Sequence, residues 1–578
     1  MKKYLFSLTI GPVQSFIAQA RKTQDLAAGS KMLSALARWA FELLGKELGE
    51  DKVQTIFPKF FAEDGSKPVD SNPNRFLAVI EADFSREKIL EAGKNVEKKL
   101  KEKFVEDSLG RLPKRVKDKQ LEYARKQLEA HLQVYWAALP LESEGYPGAY
   151  AKLEALVSGM KNYRPFKQLM ERGRKCSVDG QLNVVVYRKK LGERGNRFEK
   201  ATFAPDIIEV SDDSVVKIWT LQPGEGLSAL SYAKRTFRKA GDVNADVLPF
   251  EPHEFPSTAR LCLLHDLHLA KEGLKEKWKG IEKELVKPAG YKHSDDQLLY
   301  AENITAGNFR KTGYFEQKEE SGKAAEKAAK AALKNHQEQV RKLKAVGIKN
   351  PFTRKYYAVM IFDGDDMGKW LRGEFLTDHN DLQQFHEKMA ELLWEFGAWV
   401  KGYLKEEKGE VVYAGGDDFL GFISLPSLFE VLKKIRKKFD CLVNQPLQEE
   451  TEKFQLRLMD ETGKKQDFTF SAGIALAHYK QPLGIVLEEA RKAEKEAKLA
   501  GKNSFAISQI RHSGGTTRTE QSFGRYLVQQ LDAMESIRSG LDNGQYSNKF
   551  IHIIAQDMRT WGAGMSAEIL ETEVFRLL

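Results

Sequence analysis

Between residues 355 and 508, short apolar runs alternate with helical periodicities in the order β-α-β-β-α-β. That order constrains the fold more than any other feature of the chain. Tyr356-Tyr357-Ala358-Val359-Met360-Ile361-Phe362 is a seven-residue apolar run, the signature of a buried strand. Leu382, Phe385, Met389, Leu392, Leu393 and Phe396 keep helical spacing over 381–403. Strands at 410–414 and 419–424 flank Gly415-Gly416-Asp417-Asp418, and Leu428, Val431, Leu432 and Ile435 mark a helix at 427–439. A strand at 468–476 and a helix at 483–500 follow. This is the order of the ferredoxin-like split βαβ arrangement.

Two acidic clusters punctuate this unit. Asp363-Gly364-Asp365-Asp366 ends the first strand, and Gly415-Gly416-Asp417-Asp418 joins the second to the third. Taken alone, the second is a good hairpin turn, because glycine supplies positive φ and aspartate tolerates turns. With both clusters falling at one edge of a sheet, the composition is that of a metal–nucleotide site. Carboxylates share hard cations, and Gly415 and Gly416 let a phosphate chain approach the backbone. Asp363, Asp417 and Asp418 are the expected catalytic residues and, with the main-chain carbonyl of Gly364, the expected ligands of two Mg2+ or Mn2+ ions. Asp365 is a further nucleotide-binding candidate that, with Asp366, could instead stand behind these ligands, and Asp366 also suits the start of a helix. Lys498, Lys502 and Asn503 are candidates to hold a triphosphate, although Gly501 and the lysines also suit a helix C-terminus. Crowded carboxylates without a cation should resist full ionisation.

Upstream, Tyr4, Phe6, Leu8 and Ile10 alternate at period two, so residues 3–10 read as a strand rather than as a secretory signal. Residues 13–45 read as helical with an interruption near Gly29-Ser30, where Ser30 can cap a second helix. Residues 76–82 read as a strand, 86–136 as largely helical, 182–187 as a strand, and 227–240 as a basic helix after the turn Gly224-Glu225-Gly226. Residues 317–345 read as a lysine- and alanine-rich solvated helix. The last 60 or so residues read as mainly helical. The fold class is therefore α+β.

The chain has 578 residues, enough for several cores, with 42% hydrophobic and 30% charged residues. A net charge of +10 fits a polyanion partner such as nucleic acid. Cys176, Cys262 and Cys441 are scattered, so no disulfide framework is implied and a reducing cytoplasm is the simplest setting. No apolar run approaches the roughly 20 residues of a membrane span.

Asp363–Gly368, the Gly-Gly-Asp-Asp turn, Ser471-Ala472-Gly473-Ile474-Ala475 and Lys498 with Gly501-Lys502-Asn503 together resemble the palm domain of diguanylate and adenylate cyclases. Further motifs resemble the large polymerase-like subunit of type III CRISPR effector complexes, in the Cmr (subtype B) branch. These are Gly11-Pro12-Val13-Gln14-Ser15-Phe16-Ile17, Ala20-Arg21-Lys22-Thr23, Asp25-Leu26, Asn74-Arg75-Phe76-Leu77-Ala78, Gly224-Glu225, Lys234-Arg235 and Phe255-Pro256-Ser257-Thr258-Ala259. The resemblance covers nearly the whole chain.

It implies two ferredoxin-like palm domains facing each other, at 1–215 (with a helical insertion) and 351–510 (with the Gly-Gly-Asp-Asp turn), a mainly helical middle domain at 216–350 and a helical C-terminal domain at 511–578. It implies an RNA-activated nucleotidyltransferase that condenses ATP into cyclic oligoadenylate, with guide RNA, target RNA and sibling effector subunits as partners. The loop around Gln14, Ser15 and Arg21 would face the second nucleotide. Two departures limit the carry-over. The His-Asp nuclease found at the start of many relatives is not expected, since the one His-Asp dipeptide, His265-Asp266, lies mid-chain without the remaining ligands. Zinc is not expected either: where relatives carry Cys-x-x-Cys, this chain reads Cys176-Ser177-Val178-Asp179-Gly180, and Ser228 stands where another cysteine belongs. Packing is then expected to hold that region.

Two other readings keep or drop the chemistry. One retains the palm but changes the product, to a cyclic dinucleotide or an adenylate joined to S-adenosylmethionine. The other is a non-catalytic RNA-binding scaffold, against which the intact Asp363, Asp417 and Asp418 argue.

Overall fold

The computed structural model describes residues 3–60, 73–113, 116–141, 145–163, 173–188, 207–210, 221–237, 255–288, 294–311, 321–449, 454–456, 467–523 and 527–547, Ala82 and Pro223 excepted, with a few isolated residues beyond. Its frame is a pair of sheets built on the same plan.

In the first, β1 (Lys3–Gly11) runs into α1 (Thr23–Leu48) by way of a short helical turn at Gln14–Ala18. β2 (Val53–Phe57), β3 (Arg75–Glu81), α2 (Arg86–Gly110), α3 (Asp118–Glu129), β4 (Gln133–Pro140) and α4 (Gly145–Asn162) follow. The strand order is β2-β3-β1-β4, and the ladders are antiparallel, with Phe6 opposite Ala78 on one side and Ala138 on the other. β4 corrects the expectation of helix up to 136. It also supplies the fourth strand that completes the ferredoxin-like order.

The helix break is displaced as well. α1 runs unbroken through Gly29 and Ser30, and the chain turns at 19–22 instead. There the Lys234 ammonium takes the Phe16 and Gln19 carbonyls, at 2.5 and 2.6 Å, so Phe16 has another donor where a continuing helix would bond it.

The middle region holds a small sheet of β5 (Val186–Arg188), β6 (Ile208–Val210) and β7 (Gly226–Leu227), then α5 (Ala229–Thr236) and α6 (Thr258–Leu274). Its strands lie on both sides of residue 215, where the sequence suggests a boundary. The basic helix expected over 227–240 is α5, shorter at both ends of what is described; residues 238–240 lie outside the described residues.

The second large sheet comprises β8 (Tyr356–Gly364), α7 (Leu382–Tyr403), β9 (Gly409–Gly415), β10 (Asp418–Ile423), α8 (Leu428–Phe439), β11 (Phe470–His478), α9 (Leu483–Leu499), β12 (Ser504–Ile510) and β13 (Thr516–Ser522). Its order is β13-β12-β11-β8-β10-β9, so the four strands anticipated from sequence repeat the order of the first sheet. β12 extends it, parallel to β11, and β13 pairs antiparallel with β12. The sheet therefore continues past 510 into a segment expected to be helical.

Side-chain alternation divides each central strand between two cores. Tyr4, Phe6, Leu8 and Ile10 of β1 share one with Tyr357, Val359 and Ile361 of β8. Leu5, Leu77 and Val79 share the other with Ala358, Met360 and Phe362. The two units exchange helices across this join, α1 packing on β9 and α7 on β2.

Candidate functional site

β8 and β10 are neighbours, with Phe362 opposite Phe419, so Asp363 and the Asp417–Asp418 turn emerge at the same sheet end. The turn is a two-residue hairpin loop closed by the pair Gly415–Asp418. Gly416 takes φ +83°, a value that suits the first central residue of a tight hairpin and that glycine adopts without strain. The Gly364 N–H donates to the Asp417 carbonyl at 3.0 Å, and a Cβ on Gly364 would come within 2.9 Å of Asp417 Cβ. Gly364 thus lets the acidic strand end and the acidic turn lie against each other.

Burial pushes the Asp417 carboxyl up to about 6, with the Asp363 charge adding to it and Arg75 and Lys498 pulling the other way. The same forces hold Asp418 well above its ordinary value: desolvation first, then Asp417, Asp363 and Glu494. Asp418 does keep solvent contact at the mouth of the site, so it is the rise itself, forced by like charges, that the geometry supports.

The positive side of the site comes from the end of α9. The Lys498 ammonium pairs with Asp363 and, at 2.9 Å, with Glu494 one turn back on the helix. Burial pulls this ammonium's pKa down, but the two carboxylates outweigh it and hold it above the ordinary lysine value. Lys502 sits 2.7 Å from both Asp366 oxygens. Glu494 is a site residue that the sequence reading lacks; its place four residues before Lys498 on a helix is the signal for it.

Asp365 and Asn503 are engaged within the protein. The Asp365 carboxylate is buried and accepts from Thr469 Oγ1 and Ser471 Oγ, both at 2.7 Å, and from the Asn503 N–H at 2.9 Å. Asn503 Oδ1 in turn accepts from Arg436 Nε at 3.2 Å. Asp365 is a fastener between β8, β11 and the loop after α9. Gln14 and Ser15 stand exposed on the first sheet's side, and Arg21 lies 3.7 Å from Glu225. No hydrogen bond among the described residues joins these three to the acidic cluster. Another part of the first unit does reach it: a Cβ on Gly416 would come within 4.0 Å of Pro73, and the charge of Arg75 is felt at Asp417.

The three aspartates fit a hard cation pair by donor chemistry, by the raised pKa of Asp417 and Asp418 and by the ammonium standing on Asp363 as a counter-charge. They are not drawn together to ligand spacing. Among the described residues, the group of three whose ligand atoms all lie within 4.8 Å of one another is His268, Glu406 and Glu407, elsewhere on the molecule. The His265-Asp266 dipeptide, where no nuclease is expected, has a structural role: Asp266 is buried and accepts from the Phe352 N–H and from Arg354.

Among the described residues, the first sheet carries no second copy of the acidic set. There the Ile10 N–H donates to the Asn74 carbonyl at 2.8 Å, matching the bond from Gly364 to Asp417. Matching the ladders on that bond places Thr9, Asn74 and Arg75 where β8 and β10 have Asp363, Asp417 and Asp418.

Known proteins agree with this architecture. The family profile described as Cas10/Cmr2, second palm domain, matches residues 356–506, and that of CRISPR-associated protein Cmr2, N-terminal, matches 5–106. The CRISPR system Cmr subunit Cmr2 of Pyrococcus furiosus is 25% identical over 99% of this chain and 68% of its own length. Among solved structures, the type III-B Cmr-beta apo state aligns over 100% of this chain and 77% of that chain, with a TM-score of 0.66 at 15% identity. The Cmr-beta complex bound to cognate target RNA aligns over 100% of this chain and 78% of that chain, with 0.64 at 14%. With two palm-like sheets in the same order and an acidic turn between β9 and β10, the chain is similar over its whole length to the Cmr2-like large subunits of type III-B CRISPR effectors.

Proposed function

We propose that the chain is a target-RNA-activated nucleotidyltransferase that joins ATP into cyclic oligoadenylate within a type III effector. The observation that carries this reading is the meeting of Asp363 with Asp417 and Asp418 at one end of a ferredoxin-like sheet, with Lys498 and Lys502 beside them. Asp363, Asp417, Asp418 and the Gly364 carbonyl would hold a pair of Mg2+ or Mn2+ ions. Such a pair lowers the pKa of an attacking hydroxyl and neutralises the leaving pyrophosphate. Lys498 releases Asp363 and, with Lys502, takes the triphosphate; Gly415 and Gly416 let the phosphates lie against the backbone. Guide RNA and target RNA are the polyanions that suit the net charge of +10, and a relative with this fold is known bound to target RNA.

The test is the assembled complex with target RNA, Mg2+ or Mn2+ and labelled ATP, read by mass spectrometry with other nucleotides and S-adenosylmethionine in parallel. Ring products with 3′–5′ links are expected from ATP. Asp417→Ala with Asp418→Ala should abolish them and leave RNA affinity unchanged. Absence of product under every metal and target would sink the enzymatic reading, and an equal fall in RNA binding would make the turn structural.

A further inference from the structure

Two stretches of the middle region meet at a carboxylate. Asp179 Oδ2 accepts from Ser228 Oγ at 2.6 Å and Ser231 Oγ at 2.8 Å, and its Oδ1 accepts from the Gln181 and Leu182 N–H groups at 3.0 and 2.9 Å. The Cys176 thiol hydrogen-bonds to Asp179 and Ser231. Cys176, Ser228 and Ser231 are buried. The pairs Cys176/Asp179 and Ser228/Ser231 each leave two residues between their members, one pair on a turn and the other at the start of α5. Two such pairs converging on a point are how four-ligand metal knuckles are built. Here one of the four side chains lies at the centre and the other three donate or bond to it.

α5 carries the consequence. Ser228 caps it, and buried Gln127 of α3 holds its first free N–H, that of Ala229, at 2.9 Å. Two turns on, the Lys234 ammonium grips the Phe16 and Gln19 carbonyls, its stem crossing α1 so closely that a Cβ on Gly29 would lie 3.3 Å from Lys234 Cε. Arg235 binds both oxygens of Asp25, at 2.6 and 2.8 Å, and faces Glu225, the partner of Arg21. The segment 14–22 is thus held from one helix, and that helix is held by Asp179.

We propose that Cys176, Asp179, Ser228 and Ser231 form a metal-free knuckle and that Asp179 is a positioning residue, fixing segment 14–22 of the first palm through Lys234 and Arg235. The further step from that segment to ATP binding rests on the proposed function.

Hydrogen exchange on the full chain tests the knuckle. Asp179→Ala should cost tenfold or more in protection at the amides of 14–22 as well as at 176–182. The triple variant Asp179→Cys, Ser228→Cys, Ser231→Cys supplies four thiols at the same positions. It should bind about one Zn2+ per chain, recover protection at 14–22, and lose it again to a chelator. Loss of protection confined to 176–182, a folded triple variant that takes up no zinc, or stoichiometric zinc in the unaltered chain would each overturn the proposal. Steady-state kinetics separates the two levels: Asp179→Ala should raise KM for ATP more than it lowers kcat. An unchanged KM beside a lost 14–22 protection overturns the link to ATP and leaves the knuckle standing.

Discussion

At the scale of single residues, the site depends on what is missing as much as on what is present. A Cβ on Gly473 of β11 would fall 2.1 Å from the Ala490 carbonyl oxygen and 2.2 Å from the Glu494 nitrogen, both main-chain atoms of α9. The helix that carries Glu494 and Lys498 therefore lies directly on the strand beside Asp363. Gly473→Ala cannot be absorbed by a rotamer change and must lift the helix. It should cost about 3 kcal/mol or more, at the upper end of overpacking, read from a lowered denaturant midpoint. Nucleotide turnover should fall further than stability does, because the Lys498–Asp363 pair moves with the helix. A variant destabilised but fully active would show that Lys498 is not placed by this contact. The acidic residues themselves were legible in the sequence because carboxylates at strand ends follow from pattern alone. The distinction between Asp363, which faces Lys498, and Asp365, which is consumed by Thr469, Ser471 and Asn503, was not. It depends on Asp365 lying just past the last residue of β8, where its side chain reaches Thr469, Ser471 and the Asn503 N–H.

At the scale of elements, the strands that periodicity announces are those buried on both faces, such as β1, β3 and β8. β4 lies within a stretch whose charge and spacing favour helix, and it exists as a strand because β1 offers it a ladder. β13, Thr-Thr-Arg-Thr-Glu-Gln-Ser, has no apolar alternation and is almost wholly exposed; its pairing with β12 defines it. Tertiary context also decides how the two palms meet. His386 of α7 is buried against Tyr146 and Tyr150 of α4, accepting from the Tyr146 hydroxyl at 2.8 Å while its Nε2–H donates to the Leu371 carbonyl at 2.8 Å. Burial lowers its pKa from 6.5 to about 4, with the Leu371 bond opposing and the Arg75 charge assisting. The unfolded chain thus takes a proton that the folded chain refuses. This stability is fully present above pH 6.5 and is lost as pH falls from 6.5 toward 4, by at most about 3 kcal/mol. His131, also held near 4 by burial, adds to the same slope. Replacing His386 with Gln should make the fall in Tm between pH 6.5 and 4 shallower. An unaltered slope would show that this contact does not report the joining of the palms.

At the scale of the whole molecule, the two palms are related in topology and unequal in chemistry. Each lends a helix to the other's edge strand, α1 to β9 and α7 to β2, and each is a β4-β1-β3-β2 sheet or contains one. A sequence pattern can announce each half, but the reciprocal exchange depends on contacts some 350 residues apart. If both halves held metal, two acidic sets would face each other across the join. The ladders instead place Thr9, Asn74 and Arg75 opposite the acidic positions, and Arg75 is already committed to Glu154 at 2.9 Å and to the ring of Phe57. A guanidinium at that point repels cations and lowers the charge cost at Asp417 across the gap, so the first palm acts on the site from outside it. Mn2+ titration of the full chain with ATP present, followed by the loss of free-ion paramagnetic signal, should therefore saturate at two ions per chain and not four. The double alanine variant at Asp417 and Asp418 should remove that pair, leaving only the weak uptake of ATP itself. Two further ions that survive the double variant would place a metal site in the first palm and end the single-site reading, whereas restoring a carboxylate with Asn74→Asp should not raise the count while Arg75 remains beside it.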